Sequence, residues 1–344
     1  MTFRPAVRRL AALTAPVALA LAAAAPALPA QAAPAGRPAP VLTTGPADKD
    51  LDGDGVPDLV TVGGTAGLGS GVWSALGVQS RKTGVGTGAV HTPAVNIGLR
   101  GNGAGGDFEG TQVITGRFFG GAVEDFLDYN PKTRSGGVIR GAGDGTMTNP
   151  DLSGNQATIL GDLLTDAYGN VPVTIANAYT ADGVDTGIPD LIGISGDAAN
   201  GYRLNYYPNA WAPALYYYGF ALAAATPTGG TDWENWSIAS TELSSGVAIF
   251  LRNAATGDLY LWTGVTIVDN GDGTGSLSRT QYQVAANWNT GVEISTLWAA
   301  DINADGAPDL RTVLPDGTAR AYLVSGLSQT GTATVVATRA QQLV

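Results

Sequence analysis

Short apolar runs separated by glycine, asparagine, aspartate and proline cover most of the chain after residue 47. The runs are rich in Val, Ile, Thr, Tyr and Trp, and they lack the three-to-four-residue apolar spacing of an amphipathic helix. This pattern is typical of β-strands joined by turns. The segment 269–273, DNGDG, lies between two such runs and predicts a hairpin turn. Among the predicted strands are 59–62, 112–115, 202–207, 248–251, 259–262, 318–323 and 332–337.

One ten-residue segment recurs along the chain. Residues 50–59 are DLDGDGVPDL, residues 301–310 are DINADGAPDL, and a degraded copy, DGVDTGIPDL, occupies 182–191. A more eroded copy lies at 116–126, and a fifth, near 241–250, has lost its acids. Successive copies are about 60 residues apart, and each is flanked by predicted strands, a repeat typical of β-propeller blades. We therefore predict an all-β propeller of four-stranded antiparallel blades with about five recognisable repeats; a linear β-solenoid is the alternative.

The first and last copies carry oxygen-bearing side chains at positions 1, 3, 5 and 9 of the loop. Glycine at position 6 permits a sharp turn, which leaves the carbonyl of position 7 free to point inward. Several hard oxygen ligands with high negative charge suit calcium, whereas softer metals favour histidine or cysteine. The predicted calcium ligands are Asp50, Asp52, Asp54, the Val56 carbonyl and Asp58 in the first copy, and Asp301, Asn303, Asp305, the Ala307 carbonyl and Asp309 in the last.

The other copies are poorer candidates for a metal. The copy at 182–191 has Val184 and Thr186 at two ligand positions, and the copy at 116–126 begins its loop with Arg117. In both copies, these residues favour a turn that is held without metal. An acidic surface turn is the alternative for the first and last copies too. An EF-hand would need glutamate at position 12, where the chain has Thr61 and Thr312.

The loop D-x-(D/N)-x-D-G-x-P-D-L between two strands resembles the FG-GAP repeat, also called VCBS-type, of the integrin α-subunit propeller and of many secreted bacterial proteins. The resemblance covers about residues 48–343 and is strongest in the first and last copies. It implies that residues 48–344 fold as an FG-GAP-type β-propeller whose loops hold calcium on one rim. Seven blades are usual in the family, against about five recognisable repeats here.

The first 32 residues have the pattern of a secretory signal peptide. Three arginines precede the apolar stretch 10–25, and an A-x-A cleavage site ends at Ala32. The stretch is shorter than the roughly 20 residues that span a bilayer. We predict a signal peptide over 1–32, a flexible lead over 33–47 and a secreted product that is not inserted in a membrane after cleavage.

The composition limits the chemistry. A net charge of −11 argues against nucleic acid as a partner and suits cation binding. The chain has no cysteine, so disulfides and thiolate metal sites cannot form, and the single histidine, His91, cannot build a histidine zinc cluster. Calcium is therefore the cofactor we expect.

These features predict a calcium-binding recognition, adhesion or structural module for an extracellular carbohydrate or protein, and we expect no enzymatic activity. A propeller-fold polysaccharide hydrolase or lyase, or a targeting region of a larger secreted protein, is the alternative. A cluster of aromatic residues either forms a sugar-binding surface or fills the core between blades, and we favour the core. The cluster comprises Tyr206, Tyr207, Trp211, Tyr216, Tyr217, Tyr218, Phe220, Trp233 and Trp236.

Overall fold

The computed structural model describes residues 47–98, 108–149, 154, 156–159, 164–210 and 215–344. The predicted signal peptide, nearly all of the predicted lead, and Trp211 lie outside the described residues. Within these ranges the molecule is built from β-strands and a short 3-10 helix at Trp233–Asn235. The prediction of an all-β protein is confirmed.

The strands follow the chain in consecutive groups. The first group is a sheet in the order β1-β2-β5 together with a separate hairpin, β3-β4. The second is a four-stranded antiparallel sheet, β6 to β9, in sequence order. The strands are β1 Leu59–Val62, β2 Val72–Ala75, β3 Gly77–Gln79, β4 Gly86–Val90, β5 Val95–Asn96, β6 Gln112–Gly116, β7 Asp125–Asn130, β8 Ser135–Ile139 and β9 Gln156–Ile159.

The third and fourth groups share one eight-stranded sheet. Each group is an antiparallel meander of four strands, and a short parallel pairing joins their last strands at Ala221↔Thr274 and Leu222↔Gly275. The two end strands of this sheet also contact each other, so the sheet is nearly closed. The strands are β10 Pro172–Tyr179, β11 Asp190–Asp197, β12 Gly201–Tyr207, β13 Phe220–Leu222, β14 Trp236–Leu243, β15 Gly246–Asn253, β16 Leu259–Asp269 and β17 Thr274–Ala285.

The last group is a five-stranded sheet in which the final strand pairs with the beginning of the third. The sheets thus depart from uniform four-stranded units, and among the described residues only β6 to β9 form a separate sheet of four strands. The strands of the last group are β18 Thr296–Ala300, β19 Asp309–Val313, β20 Thr318–Ser325, β21 Thr334–Ala337 and β22 Gln341–Gln342.

One strand from each group lies at the centre of the molecule. Strand β1 contacts β6, β6 contacts β10, β10 contacts β14, β14 contacts β18, and β18 contacts β1. These central strands are not neighbours in any ladder of the described residues, so side chains connect them. The Thr61 and Thr296 hydroxyls are 2.7 Å apart across β1 and β18. The Gln112 amide accepts the Ile175 N–H at 2.9 Å, which joins β6 to β10.

Residues 48 and 49 close one end of this central space. The Lys49 Nζ donates to the carbonyls of Ser240, at 2.5 Å, and Ala299, at 2.6 Å. The Asp48 carboxylate accepts the Tyr179 hydroxyl at 2.8 Å and the Thr241 hydroxyl at 2.7 Å. Three of the central strands, β10, β14 and β18, are therefore tied to this short segment.

Hydrophobic cores fill the spaces between neighbouring groups. Most of the aromatic cluster lies in these cores, as expected. Tyr206, Tyr207 and Tyr217 are fully buried, whereas Tyr216 and Tyr218 are each 43% exposed. The core interpretation is confirmed for Tyr206, Tyr207, Tyr217, Phe220, Trp233 and Trp236.

Candidate metal centre

The loop before β1 folds around the Asp50 carboxylate. Its Oδ1 accepts the N–H of Gly53 at 2.8 Å, and its Oδ2 accepts the N–H of Gly55 at 2.8 Å. Gly53 and Gly55 have φ values of 82° and 85°, a backbone region that favours glycine. The two glycines therefore allow the chain to circle one buried carboxylate.

Asp58 ends this loop and connects it to the hairpin of the same group. Its Oδ2 accepts the Leu51 N–H and its Oδ1 accepts the Gly77 N–H, each at 2.7 Å. Burial raises the pKa of Asp58 to about 7; the two N–H bonds oppose this shift, and the carboxylates of Asp52 and Asp50 add to it. Ionisation of this buried carboxyl group is energetically unfavourable unless a cation lies nearby.

The first loop brings three carboxylates together. Ligand oxygens of Asp50, Asp52 and Asp58 all lie within 4.8 Å of one another, and no other trio of acidic or histidine side chains in the described ranges does so. Burial also raises the pKa of Asp52. Each carboxylate oxygen has two lone pairs, so an oxygen that accepts an N–H can still coordinate a cation. An all-oxygen set fits a hard cation such as calcium, magnesium or manganese.

Two of the five ligands predicted in this loop lie outside that trio. Asp54 is exposed, and its Oδ1 accepts the Val56 N–H at 2.8 Å. The Val56 side chain is buried and packs against Gly77.

The loop between β18 and β19 repeats this hydrogen bonding. The Asp301 Oδ2 accepts the Gly306 N–H at 2.9 Å, and the Asp309 Oδ1 accepts the Val324 N–H at 2.7 Å. Burial raises the pKa of Asp309 to about 7. The Asn303 Nδ2 donates to the Asp305 Oδ2 at 2.9 Å.

The last loop is less favourable for metal binding than the first, in both its backbone conformation and its number of carboxylates. Ala304 has a φ of 55° where the first loop has Gly53, and residues with a Cβ rarely adopt that backbone region. The Asp305 Oδ1 accepts the Ala307 N–H at 2.9 Å, as Asp54 does in the first loop. Because asparagine replaces the second acid, this loop offers one carboxylate fewer than the first.

In the loop at 182–191, a tyrosine hydroxyl bridges the first and last aspartates, Asp182 and Asp190. The buried Tyr206 hydroxyl donates to the Asp190 Oδ2 and accepts the Asp182 N–H at 3.2 Å. The Asp190 Oδ1 accepts the Asn209 N–H at 2.7 Å. The Tyr206 hydroxyl, from a neighbouring strand, thus closes the loop, and the exposed Val184 side chain offers no ligand.

In the loop at 116–126 a cationic side chain stands where the first loop has Asp50. The Arg117 Nε lies 3.9 Å from the Glu124 Oε1. Burial, followed by the charge of Asp48, raises the pKa of Glu124 to about 8, and Arg117 opposes this shift. The copy near 241–250 is reduced to the two-residue turn between β14 and β15, which carries no acid.

A buried arginine that the sequence reasoning missed connects the first and last loops. Arg311 on β19 is 1% exposed, and its Nη1 donates to the Pro57 carbonyl at 2.7 Å. Burial lowers the pKa of Arg311 to about 10, while the charges of Asp58 and Asp309 raise it. A positive charge thus lies close to both closing aspartates. An arginine within the apolar run 310–313 is the signal that could have revealed it.

Comparisons with known proteins leave the family open. No protein-family model matches the chain, and no curated protein matches it significantly. No helix in the described part of the chain is long and apolar enough to cross a membrane.

Proposed function

We propose that residues 48–344 form a five-bladed β-propeller of the FG-GAP type, and that calcium held by its loops braces a secreted recognition or adhesion module. The cyclic contacts among β1, β6, β10, β14 and β18 support the ring, because the innermost strands of propeller blades meet around a central axis. The eight-stranded sheet then comprises two blades, joined by the short β13–β17 pairing.

The gathered carboxylates of Asp50, Asp52 and Asp58 carry the calcium proposal. Calcium takes six to eight oxygen ligands in flexible geometry, whereas magnesium requires a near-ideal octahedron and usually keeps several waters. The loop provides carboxylates on an irregular turn, which suits the less demanding ion. The last loop is proposed as a second, weaker site through Asp301, Asn303, Asp305 and Asp309, with the Ala307 carbonyl.

The first loop lies where the first and last groups meet, and this position gives the proposed ion a structural role. The Trp298 Nε1 donates to the Asp58 carbonyl at 2.8 Å, and Arg311 holds the Pro57 carbonyl. A cation that fixes Asp58 therefore also fixes the two carbonyls to which the last group is bonded. We infer that calcium stabilises the closure of the ring.

Binding is favoured over hydrolysis by the chemistry of the central cavity. A glycoside hydrolase acts through a pair of carboxyl groups on either side of the scissile bond. The described residues that line the central cavity include serines, threonines, Lys49 and Arg252 but no acidic side chain. Glu109 and Asp166, two acids that do not line the cavity, are hydrogen-bonded to Ser70 and Asn170.

Calorimetric titration of chelated protein with calcium tests the proposal. We expect saturable uptake and a higher melting temperature, with a poor response to magnesium. If the sites have dissociation constants of about 10⁻⁴–10⁻³ M, millimolar calcium adds roughly 0.4–1.4 kcal/mol per site. Asp52→Asn removes one of the three gathered carboxylates and should lower the calcium-induced stabilisation by more than half, because the remaining site in the last loop is the weaker one.

Asp185→Asn is the matched control. Asp185 is an exposed aspartate of the 182–191 loop, and it accepts the Gly187 N–H at 2.8 Å much as Asp52 accepts the Asp54 N–H at 3.1 Å. This variant should keep the full calcium response. Absence of calcium uptake, together with melting that does not respond to chelator, would reject the metal site.

A further inference from the structure

A central cavity of about 280 Å³ lies between the innermost strands of all five groups. Its volume is at the small end of the range of ligand pockets, about 300–1,000 Å³. Such a space suits one sugar-sized molecule better than an oligosaccharide. Side chains of β1, β6, β10, β14 and β18 form the walls, and Lys49 and Arg252 are the charged residues that line it among those described.

The two cations differ in their surroundings. Lys49 is bonded to two carbonyls and lies near the carboxylates of Asp48 and Glu124. Arg252, which is 5% exposed, makes no salt bridge within the described part of the chain. Arg252 is therefore a buried cation without a countercharge, an arrangement that is costly unless an anion accompanies it.

The guanidinium of Arg252 is held in place but not saturated. Its Nη2 donates to the carbonyls of Asn289, at 3.0 Å, and Val292, at 3.1 Å. Its buried Nε has no hydrogen-bond partner among the described residues. The two carbonyl bonds orient the planar group, and N–H donors remain for a ligand. Guanidinium groups match the geometry of carboxylates, which they bind with two parallel hydrogen bonds.

Hydroxyl groups and apolar side chains together line the rest of the cavity. Ser237 is the cross-strand partner of Arg252 and lines the cavity beside it. Thr115 is fully buried, and its hydroxyl has no hydrogen-bond partner among the described residues. A ligand hydroxyl that reached Thr115 would remove the cost of leaving this group unpaired.

We propose that this cavity binds a small hydroxylated carboxylate, of the class to which monomeric sugar acids belong, with its carboxylate on Arg252. The proposal rests on the binding-module part of the proposed function and not on calcium. A sugar phosphate would engage the same guanidinium through a different anion, so the test has to separate the two chemistries.

The test is calorimetric titration of the calcium-saturated and the chelated protein with D-glucuronate, D-glucose and D-glucose 6-phosphate. We expect saturable binding of glucuronate and none of neutral glucose. Arg252→Gln should weaken glucuronate binding by about ten- to a hundredfold, which is the effect of losing charge-assisted hydrogen bonds. Arg279→Gln is the matched control, because this arginine packs over the Trp262 ring at 4.0 Å and does not line the cavity.

Ser237→Leu tests the site without touching the arginine. The larger side chain should occlude the cavity and abolish binding while the protein still melts cooperatively, so that lost binding is not confused with unfolding. Absence of glucuronate binding, stronger binding of the phosphate, or binding unchanged in Ser237→Leu would each overturn the proposal. If calcium uptake fails but glucuronate still binds, the cavity proposal stands and the calcium proposal falls.

Discussion

Four buried aspartates, Asp58, Asp125, Asp190 and Asp309, end the repeat loops in the same way. Three of them accept one N–H from their own loop and another from the chain at or just past the end of the second strand that follows the loop. Asp190 keeps the second of these bonds and replaces the first with the Tyr206 hydroxyl. This aspartate therefore holds the loop in all four cases, and the proposed metal binding would depend in addition on the residues at positions 1, 3 and 5.

The titration of Asp190 gives a prediction that needs no metal. Burial raises its pKa from 3.8 to about 7. The folded state therefore holds the proton more tightly than the unfolded state. The stabilisation is complete below about pH 4 and is lost as the pH rises through about 7. Asp190→Asn cannot titrate, so we expect its free energy of unfolding to change less than that of the parent chain across this window.

Urea unfolding at about pH 5 and about pH 8, in millimolar calcium, measures the effect. Calcium is included because the proposed binding would keep the carboxyls of the first and last loops ionised, so that they contribute little to the difference. Tyr206→Phe is a useful companion, because it removes the hydroxyl that bridges Asp182 and Asp190 but leaves the carboxyl in place. Parallel pH profiles for the parent chain and Asp190→Asn would contradict the assignment.

At the scale of elements, the segment that leads into β13 shows how one run of aromatic residues serves two environments. Tyr217 is fully buried, and its hydroxyl donates to the Pro189 carbonyl at 3.0 Å. Its neighbours Tyr216 and Tyr218 are each 43% exposed. Tyr217→Ala should cost about 3–5 kcal/mol of stability, as aromatic deletions in cores do. Tyr216→Ala should change stability by no more than about 0.5 kcal/mol.

Denaturant unfolding of the two variants side by side measures this difference. The comparison also bears on recognition, because only the exposed tyrosines are available to a partner in the free protein. If both variants lost the same small amount of stability, Tyr217 would not be a core residue.

The strands were predictable because runs rich in Val, Ile, Thr, Tyr and Trp are bounded by turn-forming Gly, Asn, Asp and Pro, and in many of these strands consecutive residues are buried. Ranges such as β1 and β12 agree with the sequence patterns that predicted them. The pairing of β13 with β17, which joins two groups, was not predictable. A parallel pairing of only two residues on each strand is too short to produce a recognisable pattern in the sequence. Within the candidate site, Asp50, Asp52 and Asp58 were predicted and come together, but Asp54 was expected to join them and is turned toward its own loop.

Contacts between distant parts of the chain could not be predicted from the sequence for a related reason. Tyr206 replaces a ligand in the third loop from a strand 24 positions downstream of Asp182. Arg311 reaches Pro57 across 254 positions. Neither contact follows from spacing, because the fold determines which strands meet.

At the scale of the whole molecule, the first and last groups, which are far apart in the chain, contact each other through β1 and β18. The Gln341 amide donates to and accepts from the backbone of Val90, at 2.9 Å each, as a strand partner would. The Leu343 side chain is fully buried, in the same core as Leu51 and Leu59. This seam also contains the first loop.

We therefore predict that chelation loosens the seam before the rest of the fold. Hydrogen exchange should accelerate at the amides of β1 and β18, and change little in β11 and β15, when calcium is removed from the native protein. The reason is that the proposed ion fixes Asp58, whose carbonyl accepts the Trp298 Nε1. Exchange that rises equally in all four strands would show that calcium acts on global stability alone.

The buried Lys49 has a consequence for the order of events during synthesis. Its two carbonyl partners lie 191 and 250 positions further along the chain. Closing loops of this length is entropically unfavourable and slows folding. A ribosome that has released only the first groups has therefore not yet made the partners that bury this ammonium group. Residues 48 and 49 therefore acquire their final surroundings only after the strands that carry Ser240 and Ala299 have emerged from the ribosome.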